Sequence, residues 1–460
     1  MTKRIDQNSL RICLLTYRGN PRSGGQGVYV KLLSRELIRM GHHVDVWSGP
    51  PHPELDPEVG LIDVPSLDLW DPDALLAFPG FSALRDPINV SEYARTMSGE
   101  FPEPRTFCAR VARALAGSDK QTYDIVHDNQ SLGPALLAID KHTPVVATIH
   151  HPVSVDFRIA LESAPTLLKR WGVRRWYGFL PMQQKVARAL ESILTVSEAS
   201  RTDLAREYGI AEERMRVVGN GINVETFCPR PEIERSAERL LTTLSADTPL
   251  KGFAYLLEAF AELRRSRPAL ELVVIGSLAA RSPNLKKLTG LGLKDAVEFT
   301  GRVSAERIAE EYARATVAIV PSLYEGFGFP AGEAMACEVP VVSTCAGALP
   351  EVVGESGVAG ILVEPGSGPC LARAIEDLLC AEPSRRAEMG ARGRRRVLEN
   401  FTWRHAASRT VDAYCEVLDR RAGSTRVIFS DPARLAEAEF AKSGFVAARS
   451  ATDSSPEVTC

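Results

Sequence analysis

No two of the nine cysteines in this sequence form a C-x-x-C pair, and their number is odd. Scattered thiols of that kind fit a reducing compartment better than a disulfide framework. A run of about 18 apolar residues, the least that spans a bilayer, is missing, and so is a charged-then-apolar leader at the start. The expectation is a cytoplasmic protein, neither exported by that route nor membrane-spanning. A basic excess is missing too: 55 Lys and Arg stand against 58 Asp and Glu, for a formal net charge of −3. With a pI near 6.3 there is no global field for nucleic acid, and an anionic ligand must be held by a local arrangement. Nor does a G-x-G-x-x-G with an acidic residue about 20 positions later occur, which speaks against a nicotinamide dinucleotide.

What is present is an ordinary globular composition, 45% hydrophobic and 25% charged, over 460 residues. That length accommodates about two or three buried cores. From Arg11 onward short apolar runs alternate with helix-period segments. Ile12–Thr16, Val44–Trp47, Asp124–His127, Val145–His150 and Ile193–Val196 read as buried strands, and Val28–Met40 as a helix between two of them. The grammar breaks at Asn220–Glu232, where Pro229 and Pro231 follow a glycine turn. It resumes with Leu240–Leu244, Leu272–Gly276, Val297–Thr300, Val317–Pro321, Val339–Ser343 and Gly360–Val363. Two successive α/β units with parallel sheets covered on both faces follow from this pattern. Residues 49–104 form a Pro-rich insertion expected to hold loops and short helices. A helix opens at Phe401-Thr402-Trp403 and runs to about Asp419. The segment 424–460 has one strand-like and one helix-like piece and no assignable role.

In open parallel sheets ligands bind beyond the carboxyl ends of the strands, and three polar clusters fall there. Arg22-Ser23-Gly24-Gly25-Gln26-Gly27 follows the first strand. Its glycines let backbone amides approach a phosphate, although a flexible turn before a helix has the same composition. Thr148-Ile149-His150-His151-Pro152 ends a later strand, with His127 at the end of the strand before, expected to face the same cleft. An imidazole there suits a sugar hydroxyl. Adjacent histidines on an extended chain diverge, which weakens a metal reading. The third cluster is Pro321-Ser322-Leu323-Tyr324-Glu325-Gly326-Phe327-Gly328-Phe329-Pro330-Ala331-Gly332-Glu333-Ala334-Met335-Ala336, a strand end, a Gly-rich loop and a helix expected from near Ala331. Free amides at a helix N-terminus suit a pyrophosphate, and the two carboxylates suit hydroxyl pairs on sugars.

At this third cluster the sequence closely resembles the large group 1 (family 4) retaining glycosyltransferases, which include bacterial phosphatidylinositol mannosyltransferases and sucrose synthases. The E-x7-E signature is Glu325 to Glu333. Gly24-Gly25, T-I-H at Thr148–His150, N-G-I-N at Asn220–Asn223, Lys251-Gly252 and F-T-W at Phe401–Trp403 fall in the family's order, from about Arg11 to Leu418.

The resemblance implies the GT-B architecture: two facing Rossmann-like domains, 1–225 on the acceptor side and 226–400 on the nucleotide-sugar side. A crossover helix (401–423) and the extension 424–460 complete the chain. It implies that Glu325 meets donor-sugar hydroxyls and Glu333 the ribose. Amides around Phe327, Gly328 and Phe329 would meet sugar or phosphates, Lys251 the pyrophosphate, and Gly24 and Gly25 would close over it. His150 would bond the transferred sugar, and Asn220 belongs to the same donor set. One departure is that the family's Arg a few residues before Lys251 is absent from Thr243–Gly252, so a second positive charge must come from Arg302 or Arg22, or be lacking.

Transfer would proceed with retention and without a metal or other cofactor. The donor would be a nucleoside-diphosphate sugar, UDP favoured over GDP, and the acceptor an unidentified hydroxyl on a lipid, a glycan or a small metabolite. The alternative is a GT-B nucleotide-sugar epimerase or a non-catalytic binding subunit. Leu167–Phe179 interleaves cations and aromatics. A packed amphipathic helix with a solvated basic edge is the favoured reading of it. Peripheral contact of Lys169–Phe179 with the inner face of an anionic membrane is the rival.

Overall fold

The computed structural model describes residues 9–20, 25–70, 75–117 and 123–423. Gly24, Arg22 and the whole of 424–460 lie outside the described residues, so the expectations placed on them have no structural counterpart here.

Thirteen strands are described: β1 (Arg11–Thr16), β2 (His43–Ser48), β3 (Gly60–Asp63), β4 (Ile125–Asn129), β5 (Val145–Ile149), β6 (Ser192–Thr195), β7 (Met215–Val217), β8 (Arg239–Leu244), β9 (Glu271–Gly276), β10 (Val297–Gly301), β11 (Val317–Val320), β12 (Val341–Thr344) and β13 (Gly360–Val363). They form one seven-stranded sheet, ordered β3-β2-β1-β4-β5-β6-β7, and one six-stranded sheet, ordered β10-β9-β8-β11-β12-β13. Every pairing is parallel, from Arg11 opposite His43 in the first sheet to Val341 opposite Gly360 in the second. The central strands are buried along their whole length, as β4, β5 and β11 show. That is why they read as unbroken apolar runs rather than alternating ones.

Two strands escaped the sequence pattern. β3 lies at a sheet edge inside the Pro-rich insertion, and its residues alternate between half-buried and exposed. β7 has only three residues. Neither offers enough apolar side chains to register as a strand. The helix after β11 begins at Phe329, two residues before the expected start. The last described helix runs Trp403–Ala422. Thr402 is its N-cap, the hydroxyl accepting from the His405 amide, so F-T-W is a capping motif rather than the first turn.

That last helix packs on the first sheet although it follows the second in sequence. Trp403, Tyr414, Val417 and Leu418 share a core with Tyr29, Leu33 and Leu37 of the helix Gly25–Arg39. The Arg421 guanidinium pairs with Asp140 at 2.6 Å, and Arg216 with Glu416. The two halves also touch directly. Ser197 Oγ donates to the Gly326 carbonyl at 2.8 Å, and Tyr324 Oη to Asp203 Oδ2 at 2.9 Å. The Glu351 carboxylate accepts from the amides of Glu198 and Ala199 at 2.9 and 2.8 Å. A carboxylate at a helix N-terminus both satisfies orphan amides and complements the helix dipole.

Among the described residues no helix is long and apolar enough to cross a membrane. The favoured reading of Leu167–Phe179 is only half met. The helix Leu167–Trp176 buries none of its residues, and Leu167, Leu168 and Trp171 are 84%, 77% and 57% exposed. Its C-terminal end is anchored, Trp176 stacking on Phe101 at 5.1 Å.

Candidate active site

Strand order reverses between β1 and β4 in the first sheet and between β8 and β11 in the second. A crevice opens at each reversal, beyond the carboxyl ends, because the flanking connections leave to opposite faces. The loop after β8 carries Lys251 and the loop after β11 carries Glu325. Lys251 Nζ donates to Glu325 Oε1 at 2.7 Å, and Ser322 Oγ donates to the same oxygen at 2.8 Å. Both bonds fall on Oε1, which leaves Oε2 for a ligand hydroxyl. The glycine of Lys251-Gly252 has a steric reason. Its φ is +61°, and a Cβ there would lie 1.8 Å from the Pro321 carbonyl oxygen. Only glycine lets the two loops approach closely enough for the ion pair to form. At Gly326 the neighbour belongs to the other half: a Cβ would come within 2.8 Å of the His150 carbonyl oxygen.

From Gly328 the chain turns into the helix Phe329–Ala336, whose first amides lack partners within the helix. The Phe327 side chain is buried in the core against Phe401, so what it offers a ligand is its backbone. Glu333 sits one turn into the helix. Burial alone raises its carboxyl to about 7, with no charge or hydrogen bond offsetting it.

The facing wall comes from the ends of β4 and β5. His150 Nε2 donates to Asn129 Oδ1 at 2.7 Å, and the His150 amide donates to Gln130 Oε1 at 2.7 Å. Burial, and secondarily His151, lowers the His150 pKa to about 3, so the ring is neutral at physiological pH. Gln130 and Leu132 adopt φ of +56° and +50°. Each such residue costs roughly 1–3 kcal/mol and persists where its surroundings over-determine it. Here they do: Asp128 accepts from the Leu132 amide at 2.9 Å and from the Ser131 hydroxyl, and Gln183 Nε2 donates to the Gln130 carbonyl at 3.2 Å.

His127 does not face the cleft. It is fully buried, with Nδ1 bonded to Tyr414 Oη at 2.6 Å and Nε2 to Thr148 Oγ1 at 2.7 Å. Thr148 Oγ1 also lies 3.1 Å from Tyr29 Oη, and the Tyr29 ring meets His150 edge-on at 4.7 Å. The last helix is thereby connected through His127, Thr148 and Tyr29 to His150.

Two cavities meet at this point. One, of about 440 Å³, is lined by Gly25, His150, Asn220, Glu325, Phe327, Gly328 and Phe329 of the expected set. Asn220 is 3% exposed and its Oδ1 is buried without a partner beside this cavity, an acceptor suited to a ligand hydroxyl. The other, of about 430 Å³, includes Lys251 and Glu325. Arg302 is exposed and lines neither cavity, so it supplies no second cation there. Glu333 lines neither as well.

Sequence reading missed Asn129, Gln130, Tyr29 and Asp156. The polar run Asp128-Asn129-Gln130-Ser131 directly after an apolar strand was the available signal for the first two. Among the described residues no group of three or more His, Cys, Asp or Glu is placed to hold a metal.

Comparison with known proteins gives the family and the fold. Residues 229–396 match the family model described as "Glycosyl transferases group 1". Residues 23–226 match "Glycosyltransferase Family 4". The chain is 43% identical to an MMP alpha-(1->4)-mannosyltransferase of Mycolicibacterium hassiacum over 89% of this chain and 99% of that one. It is 29% identical to a D-inositol 3-phosphate glycosyltransferase of Xylanimonas cellulosilytica over 91% and 98%. Among solved structures, a sucrose-phosphate synthase from Thermosynechococcus elongatus superposes with a TM-score of 0.67 at 24% identity, over 89% of this chain and 100% of that one. Anabaena HepE in complex with UDP and glucose does so with 0.64 at 18%, over 88% and 99%. At those identities the structural matches speak for the fold, which is GT-B.

Proposed function

The chain belongs to the group 1 glycosyltransferases, and on that premise we propose that it transfers mannose from a nucleoside-diphosphate mannose to an acceptor hydroxyl, retaining the α configuration. The observation that carries the reading is the meeting of Lys251 and Glu325 across the switch point of the second sheet, opposite a neutral His150. The sugar rests on the 43%-identical relative, whose printed name is that of an α-mannosyltransferase. An α-linked product from an α-linked donor is retention.

Breaking the bond between the sugar C1 and the phosphate oxygen builds positive charge on the ring and negative charge on the leaving diphosphate. Lys251 and the amides of Phe327–Phe329 stabilise the leaving group, and preorganised donors of this kind supply the largest catalytic contribution in many enzymes. The backbone of Gly25, at the start of the helix Gly25–Arg39, faces it from the other half. Glu325 Oε2 and Asn220 Oδ1 accept from sugar hydroxyls, as does the Nδ1 lone pair of neutral His150. Glu333 accepts from the ribose. The acceptor oxygen bonds to C1 on the face the diphosphate leaves, and its proton passes to a diphosphate oxygen. The same reading divides the chain at residues 225 and 400. The exposed Leu167, Leu168 and Trp171 beside Lys169, Arg170, Arg174 and Arg175 support a peripheral contact with an anionic membrane.

The test is a donor panel of UDP-glucose, UDP-mannose, GDP-glucose and GDP-mannose without acceptor, reading slow hydrolysis and thermal stabilisation for wild type and Glu325→Gln. Hydrolysis of a mannose donor that disappears in the variant supports the proposal, and the panel reads out the base. Stabilisation by donor with no turnover under any acceptor would favour a non-catalytic protein.

A further inference from the structure

Gln130 stands where the ladder between β4 and β5 runs out. The last residues paired there are Asn129 and Thr148, and β5 ends at Ile149. Beyond them the Gln130 side chain takes over. Its Oε1 accepts from the His150 amide at 2.7 Å, and its Nε2 donates to the His151 carbonyl at 2.9 Å. A primary carboxamide carries the same donor and acceptor as a peptide group, so it extends a parallel ladder past the end of the backbone pairing.

The backbone beneath it is strained and pinned. Gln130 has a φ of +56°, a conformation that glycine adopts freely and glutamine seldom does. Its carbonyl and that of Ser131 both accept from Gln183 Nε2 at 3.2 Å. Gln130 and Gln183 are 5% and 2% exposed. A glycine would take this φ without strain, so what glutamine adds here is the pair of side-chain bonds.

The turn that Gln130 clamps is also where the two halves meet. The His150 carbonyl accepts from Ser200 Oγ at 3.3 Å. A Cβ on Gly326 would lie 2.8 Å from that carbonyl oxygen and 3.2 Å from His151 Cβ. Ser197 and Ser200 in turn donate to the Gly326 carbonyl at 2.8 and 3.2 Å, and Gly326 follows Glu325 directly. On the cavity side the turn is tied by Asp156, whose Oδ2 is 2.7 Å from His151 Nε2. Asn129 holds the His150 ring, whereas Gln130 holds the backbone that carries the ring.

We propose that Gln130 is a positioning residue for transfer: its carboxamide fixes the His150–His151 turn against the Gly326 loop, which sets the separation of the His150 ring from Glu325 across the cleft. The inference rests on the glycosyltransferase reading above and adds a residue to it.

The test compares wild type with Gln130→Gly and Gln130→Glu in acceptor-free hydrolysis of GDP-mannose and UDP-mannose. Gln130→Gly suits the backbone and deletes the clamp. Its kcat should fall about tenfold or more, with the donor KM within about twofold of wild type. In Gln130→Glu an ionised carboxylate still accepts from the His150 amide but sets an oxygen against the His151 carbonyl. Once protonated, the carboxyl is again both donor and acceptor, and burial favours the protonated form. The kcat of this variant relative to wild type, at saturating donor, should therefore rise at least about fivefold from pH 8 to pH 5. The titratable groups around that position are His150 and His151 on the turn, Asp128 on β4, and Tyr17, Asp156 and Glu325 around the cavity. They are common to both proteins and cancel in the ratio. In NMR of protein labelled with nitrogen-15 histidine, the His150 ring N–H, identified by its loss in His150→Phe, should be shifted or lost to exchange in Gln130→Gly. That signal does not depend on turnover, so a wild type that hydrolyses neither donor while the signal moves would refute the donor reading alone. The inference would be overturned by a kcat within twofold of wild type in Gln130→Gly, by a rise in donor KM alone, or by an unmoved His150 signal. A ratio that stays flat with pH in Gln130→Glu, or failure of both variants to fold, would overturn it as well.

Discussion

The two walls of the cleft are built by the same alternation of strand and helix, yet they are equipped differently. The wall from the second sheet offers an ion pair between Lys251 and Glu325, a buried Glu333 and the N-terminus of the helix Phe329–Ala336. The wall from the first sheet offers neutral groups held by hydrogen bonds. These are His150 on Asn129, Gln130 on the His150 amide, and behind them His127 between Thr148 and Tyr414. On the proposed function a charged His150 would oppose the positive charge developing on the sugar ring, and burial keeps the ring neutral. On the same proposal this is a division of labour: fixed charge where the diphosphate would leave, and neutral, rigid polarity where the sugar would be positioned.

The comparison breaks most visibly at Lys251. Lys251→Ala should cut turnover by about 10²–10³-fold, the size expected for losing one preorganised electrostatic donor. A donor KM that rises with turnover unchanged would mean that the lysine only binds. On the opposite wall Asn129→Ala frees the His150 ring, and turnover should fall about tenfold, the equivalent of one well-placed hydrogen bond. An effect as large as that of Lys251 would erase the asymmetry.

Glu333 sharpens it through pH. With its carboxyl raised to about 7, the ionised form, which on the proposed function accepts from ribose, is depleted as pH falls below 7. The donor KM should therefore rise from pH 8 to pH 6 in wild type and stay flat in Glu333→Gln. His150, lowered to about 3, should contribute no kinetic step between pH 5 and 8. The folded-state value of Glu333 lies above its ordinary one, so its contribution to stability weakens as pH rises through that interval. Smallest in its effect on catalysis is Tyr414→Phe. It leaves His127 Nδ1 unpaired in the core and should cost about 1–3 kcal/mol of stability in urea unfolding, with turnover changed by less than the Asn129 variant.

Much of the architecture was legible before any coordinates. Unbroken apolar runs such as Val145–Ile149 mark strands buried on both faces, and their alternation with helical segments implies parallel sheets. Gly252 and Gly326 stood beside Lys251 and Glu325 in the sequence, but the neighbours that forbid a side chain, Pro321 and His150, lie far along the chain. The strands β3 and β7 were not legible, because an edge position and a length of three residues leave no periodic signal.

The sequence by itself determined the two α/β units, the order of the motifs and the identity of Glu325, Lys251 and His150 as candidates, since each depends on local spacing and on chemistry carried by short segments. Only the tertiary structure decided that His127 lies in the core rather than in the cleft. It also decided that Asn129 holds His150, that Asp156 joins His151 at the mouth of a second cavity, and that Arg302 stays away. Those facts depend on how strands far apart in the chain register side by side and how two sheets face each other, and no local pattern of residues encodes either.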